Sequence, residues 1–166
     1  MQRLAGNVNA RFNTPKIQYG LTMIEKSLGE SFDLPRVLVA DNDPLTSQLL
    51  TSLSEKDGYR VVSVSDGREA YRVLKSDADF KIAIFNMMMP HLEGVDIVRY
   101  MKTEKRLMRI PVVVVGGEQG LRTVSESFAA GAIAFLSKPF NAELLQRTLR
   151  LALGGSAASR EIQRAA

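Results

Sequence analysis

Residues 81–94 read Lys-Ile-Ala-Ile-Phe-Asn-Met-Met-Met-Pro-His-Leu-Glu-Gly. The run Ile82 to Phe85 is short and wholly apolar, the composition of a strand buried on both faces. Pro90 stiffens the loop that follows, and Gly94 closes it. Asn86 stands at the strand's C-terminal tip. In an open α/β sheet such tips border the crevice where ligands bind. An amide therefore occupies a place where folds of this kind keep their working groups.

The flanking sequence repeats the same unit. Arg36 to Ala40 is a first short strand, followed by the turn Asp41-Asn42-Asp43. Asp43-Pro44 opens a helix, with a capping side chain before a proline at the first helical position. Leu45, Leu49 and Leu53 mark the expected buried face of that helix, and Gly58 ends it. Tyr59 to Val64 reads as a second strand. Asp66 and Glu69 have capping-box spacing ahead of a helix carrying Ala70, Val73 and Leu74. Beyond Gly94 a helix bears Val95, Ile97, Val98 and Met101, then the basic run Lys102 to Arg109. Pro111 to Val115 is a fourth strand, ending at Gly116-Gly117. A helix with Leu121, Val124 and Phe128 follows, broken by Gly131. Ala132 to Ser137 is the fifth strand, Lys138-Pro139-Phe140 the turn after it, and Asn141 the cap of a last helix expected to stop at Gly154-Gly155. Strands alternating with helices over short connections predict a doubly wound α/β fold, a parallel sheet with right-handed crossovers and helices on both faces.

Length and composition fit that reading. A chain of 166 residues accommodates one ordinary domain, and a domain of that size buries about 70% of its unfolded surface without needing disulfides. There is no cysteine, which excludes thiol catalysis, thiolate metal sites and disulfides. The one histidine, His91, builds no polyhistidine site and reads as a surface residue. The Met87 to Met89 run reads as packing, not as a metal box. No apolar run approaches the ~20 residues needed to cross a membrane, and a cytoplasmic protein is expected. The formal net charge is +4, and Arg3, Arg11 and Lys16 put +3 of it ahead of Glu25. A basic arm of this kind can touch nucleic acid or anionic lipid non-specifically, although a solvated leader is the simpler reading. Thr14-Pro15 then opens an amphipathic helix over about 15–28, with Ile17, Leu21, Ile24 and Leu28 on one face. The expected organisation is an extension at 1–35, a domain at 36–153 and a polar tail at 154–166.

The strand tips carry the chemistry. They are Asp41-Asn42-Asp43, Asn86, Gly116-Gly117 and Lys138. The acidic turn after strand 1, the Met-Met-Pro-x-x-acid-Gly loop at 88–94 and the Lys-Pro-Phe turn at 138–140 together resemble the receiver domain of two-component response regulators over residues 36–153. The resemblance implies the flavodoxin-like strand order 2-1-3-4-5. It also implies that residue 86 stands where an aspartate accepts a phosphoryl group from a histidine kinase. Asp41 and Asn42 stand at the acidic pair that holds Mg²⁺, with the Met88 carbonyl as a further ligand. Gly116 replaces the Ser or Thr whose hydroxyl reports phosphorylation, and Gly117 the small residue beside it. Lys138 matches the phosphoryl-contacting lysine, and Phe135 the rotating aromatic switch.

The departures are chemically coherent. An amide is a far weaker nucleophile than the carboxylate this chemistry uses, and Mg²⁺ prefers hard anionic oxygens. Asn86, Asn42 and Gly116 thus damage acceptor, metal site and readout together. An engineered Asp-to-Asn change would account for Asn86 alone, so natural loss is the better reading. The expectation is a pseudo-receiver with no catalytic residue and no cofactor, binding Mg²⁺ at Asp41, Asn42, Asn86 and Met88 only if the site still functions. The competing expectation is a phosphoacceptor that uses Asp41 or Asp43. Lys138 is expected to pair with Asp41 or Asp43, Asn86 with Lys138 or the loop backbone, and Phe135 to keep one rotamer. The resemblance further implies a docking face on the fourth helix, fifth strand and fifth helix, where Arg122, Glu126, Phe135, Arg147 and Arg150 are candidates. Expected partners are a signalling protein or a histidine kinase, or a second copy through that face or the N-terminal helix, with no specific nucleic acid.

Overall fold

The structure, a computed structural model, describes residues 34–117 and 120–165, with side chains described as far as Gly154. The basic arm and the helix expected at 15–28 lie outside the described residues. Five strands form one parallel sheet: β1 Arg36–Ala40, β2 Arg60–Val64, β3 Ile82–Asn86, β4 Val112–Gly116 and β5 Ala134–Ser137. Their spatial order is β2-β1-β3-β4-β5. The helices are α1 Pro44–Lys56, α2 Gly67–Ser76, α3 Gly94–Thr103, α4 Leu121–Ala130 and α5 Ala142–Ala165.

Strand periodicity divides the core in two. Alternate residues point to opposite faces, so Leu38, Ala40, Ala83, Phe85, Val112 and Val114 meet α2, α3 and Ala130 of α4. Val37, Val39, Ile82, Ile84, Val113 and Val115 face the other way, against Leu50 and Leu53 of α1 and Leu145 and Leu149 of α5. All residues of β3 and β4 are buried, as expected for central strands covered on both faces. The expected caps form: Asp43 accepts from the Thr46 amide, Asp66 from the Arg68 and Glu69 amides, and Asn141 from the Leu144 amide. Glu69 reaches back to the Ser65 amide at 3.2 Å, one residue beyond the usual capping-box partner. Gly131 ends α4 in the left-handed region, with φ 113°.

Two expectations are corrected, on α1 and α5. On α1, Leu45 is 77% and Leu49 39% exposed, whereas Leu50, Leu53 and Ser54 are buried. The 45/49/53 spacing fits a helix, but the inward face runs through 50, 53 and 54. Leu45, in the first turn, overhangs the end of the sheet beside Pro139 and Phe140. On α4, likewise, Leu121 and Phe128 face outward and the small residues Ser127 and Ala130 pack inward. Last, α5 runs through Gly154-Gly155 to Ala165. Two glycines cost a helix about 1 kcal/mol each relative to alanine, and the strong helix formers on either side outweigh them.

Candidate functional site

Register brings the strand tips together. Ala40 pairs with Phe85, Asn86 with Val115, and Gly116 with Ser137. The residues one step further, Asp41 and Lys138, therefore stand on either side of Asn86. Gly94 closes the loop from below. A β-carbon there would lie 2.3 Å from the Asn86 carbonyl oxygen, so only glycine lets α3 begin this close to β3.

Asn86 Nδ2 is the hub. It donates to Asn42 Oδ1 at 2.7 Å, to the Met88 carbonyl at 3.0 Å and to Asp41 Oδ1 at 3.2 Å. A carboxylate and a backbone carbonyl have no proton to give, so the amide must present its NH₂ to them. Two hydrogens are thus shared among three acceptors. The side chain of Asp41 is fully buried. Its Oδ1 also accepts the Asp43 amide at 2.8 Å, and its Oδ2 faces Lys138 Nζ at 3.1 Å. That ion pair ties β1 to the end of β5. A buried carboxylate left without its cation would cost several kcal/mol.

Asp43 does not join this cluster through its side chain. Its carboxylate caps α1, taking hydrogen bonds from the Thr46 hydroxyl and amide, and these hold its pKa below the ordinary 3.8. Asn86 bonds the loop backbone, as expected of it, and Lys138 pairs with Asp41. Asn42 and Met88 are exposed at the mouth, and nothing stands within 4 Å of where a β-carbon on Gly117 would be. His91 lies outside the cluster, exposed, with φ 68°. On the expected docking face Arg122, Glu126, Arg147 and Arg150 are exposed and Phe135 is half-buried. Glu126 is bridged to Arg99 of α3 at 3.2 Å. Sequence reasoning left out Met87 as a site neighbour. It is buried between Asn86 and Gly116 and receives the Ser127 hydroxyl on its sulfur at 3.6 Å. A methionine inside a methionine run carries no sequence signal for that position.

The donor set does not suit Mg²⁺. The convergent oxygens belong to one carboxylate, one amide and one carbonyl, and Asn86 turns an N–H pair into the point where they meet. Among the described residues no cluster of three His, Cys, Asp or Glu side chains could hold a metal.

The sequence profile of the response regulator receiver domain matches residues 37–150. The chain belongs to the response regulator receiver family. It is 28% identical over 120 residues to the chemotaxis protein CheY1 of Helicobacter pylori, covering 72% of this chain and 97% of that one. The chemotaxis response regulator CheY4 of Vibrio cholerae superposes with a TM-score of 0.68 at 28% identity, over 72% of this chain and 99% of CheY4. A receiver domain protein from Clostridium thermocellum gives the same score at 27% identity, over 75% and 98% of the two chains. Receivers of this family are two-component signalling modules that engage histidine kinases and other signalling partners, and those that work as phosphoacceptors bind Mg²⁺.

Proposed function

We propose that this receiver signals by protein contact without being phosphorylated. The observation that carries the reading is the saturation of the Asn86 pocket from within. The Asn86 NH₂ stands where a cation would meet the Asp41, Asn42 and Met88 oxygens, and Lys138 is committed to Asp41. The carboxylates that could substitute as acceptors are both engaged, Asp41 in the buried pair and Asp43 in the α1 cap. No Mg²⁺ or other cofactor is needed for this role, and the chain acts as a binding module rather than an enzyme. Its partner is a signalling protein that reads α4, β5 and α5, with Arg122, Glu126, Phe135, Arg147 and Arg150 as contacts. The same face, or the segment at 15–28, is the place for a second copy. The proposed role is a cytoplasmic one; no described helix is long and apolar enough to cross a membrane.

Incubation of the full chain with acetyl phosphate and Mg²⁺, followed by intact mass, is expected to give no phosphorylated species. A single hydroxylamine-labile phosphoryl adduct would overturn the proposal. Light scattering of the chain truncated to residue 34 tests the segment at 15–28, and an unchanged mass would remove it as a dimer element.

A further inference from the structure

Gly116 stands in a strand with ordinary extended backbone, not in the left-handed region, which among the described glycines holds Gly58 and Gly131. A glycine in a central strand weakens it unless something must approach closely. Here something does. A β-carbon on Gly116 would stand 2.8 Å from Phe135 Cζ and 3.3 Å from its Cε2, and carbon atoms pack at about 3.5–4.0 Å. The ring of Phe135 therefore fills the space that any side chain at 116 would need. The same absent β-carbon would stand 3.5 Å from Met87 Cβ, so β3, β4 and β5 all border one small volume. Met87 is fixed there by its amide, which donates to Val115 O at 2.7 Å, and by the Ser127 hydroxyl of α4 on its sulfur.

We infer that Gly116 is a socket that holds Phe135 in one position, so that the α4–β5 face keeps a single conformation whatever occupies the Asn86 pocket. With the β4 backbone where it stands, a β-carbon at 116 and the ring in its present seat exclude each other. The chain has resolved that conflict permanently in favour of the ring, because glycine offers no hydroxyl or methyl that could move to displace it. The contact partners are apolar carbons, so neither a cation nor a phosphoryl group at the mouth changes their packing. This deepens the reading above, yet rests on contacts which that reading does not use.

The test is proton NMR on the full-length chain. Nuclear Overhauser cross-peaks between the Phe135 ring and the Gly116 α-protons are expected, with one set of Phe135 ring resonances. Both should persist unchanged with Mg²⁺ and acetyl phosphate, and in Asn86→Asp under the same conditions. Gly116→Ala and Gly116→Thr should lose the ring contact to residue 116 and shift the ring resonances toward those of an exposed phenylalanine. Cζ is the far end of a side chain that can swing outward, so the alanine variant should fold. If it does not, Gly116→Ala combined with Phe135→Ala removes the clash and should restore a folded spectrum. Missing cross-peaks in the parent, two sets of ring resonances, or a contact retained in Gly116→Ala would each overturn the inference. So would a double variant no better folded than Gly116→Ala alone. A hydroxylamine-labile phosphoryl adduct with unchanged Phe135 resonances would sink phosphorylation independence and leave the socket standing. Loss of the cross-peaks without any adduct would do the reverse.

Discussion

Replacing Asn86 by Asp changes one NH₂ into an oxygen and almost nothing in shape. It converts the donor contacts at 2.7, 3.0 and 3.2 Å into oxygen–oxygen contacts. It also sets a second carboxylate against Asp41 in a position only 8% exposed. Two unit charges at the 3.2 Å separation now seen between Asn86 Nδ2 and Asp41 Oδ1 repel by about 5 kcal/mol at an effective dielectric constant of about 20. Proton uptake caps the loss. Paired carboxylates commonly raise one pKa by about 2 units, and each unit corresponds to ~1.4 kcal/mol, so the expected deficit at pH 7 is about 3 kcal/mol. That lowers the melting temperature of a domain this size by about 10 °C. The raised pKa fixes the sign with pH: the deficit opens as pH rises above the unfolded value and closes toward about pH 4. Mg²⁺ should rescue the variant, since a ligand at a hundred times its dissociation constant returns about 2.7 kcal/mol. Thermal melts of parent and variant in EDTA and in MgCl₂ are the assay. The parent should ignore Mg²⁺ and the variant should respond. A variant as stable as the parent in EDTA, or a parent stabilised equally by Mg²⁺, would refute the argument that the Asn86 amide takes the cation's place.

Lys138→Met leaves the buried Asp41 carboxylate without its cation and should cost about 3 kcal/mol in urea unfolding. Adding Asp41→Asn should recover most of that, and purely additive losses would speak against the pair. The cap at Asp43 makes an acid-sensitive contribution. Because its pKa lies below 3.8, the stabilisation is full above that value and is lost as pH falls through the lower, folded-state value. Asp43→Ala should therefore lower the urea midpoint at pH 7 and progressively less at lower pH. The phase of α1 can be read by a pair of truncations. Leu50→Ala, at a position with no exposure, should cost about 3 kcal/mol, whereas Leu49→Ala, at 39% exposure, should cost about 1 kcal/mol or less. Equal losses would mean that the helix is rotated from the phase described.

Much of this architecture was legible in the residue pattern, because strand composition, glycine and proline punctuation and helix caps act locally. Asp43-Pro44, Asp66 and Asn141 each cap the helix they were expected to cap. Their short side chains can reach only the amides two or three residues ahead. The phase of α1 and α4 was not legible in the same way. Leu45, Leu49 and Leu53 fit a helical stripe, but which stripe turns inward depends on how the chain leaves β1. Small residues such as Ser54 and Ser127 pack inward where the sheet leaves little room. At the site, the positions of Asp41, Asn42, Asn86 and Lys138 followed from the motif order. The choice of Asp41 over Asp43 as the partner of Lys138 did not, because it turns on Asp43 being spent on Thr46. A single rotamer for Phe135 was expected, but the seating of its ring directly against Gly116 was out of reach. It depends on a close approach across two strands that no local spacing encodes.

The hydrogen bond from the Met87 amide to Val115 O has a further chemical consequence. Asparagine ages by deamidation when the next backbone nitrogen attacks its side-chain carbon, closing a five-membered imide that opens to a carboxylate. At Asn86 that nitrogen is tied into the ladder at 2.7 Å, the residue is buried, and the extended backbone holds the two atoms apart. Folding thus protects position 86 from turning, unaided, into the aspartate whose chemistry the pocket lacks. On prolonged storage at mildly alkaline pH, peptide mapping should find the one-dalton gain at residue 86 in unfolded chain well before it appears in folded chain. Equal rates in the two states would show that the strand gives no such protection.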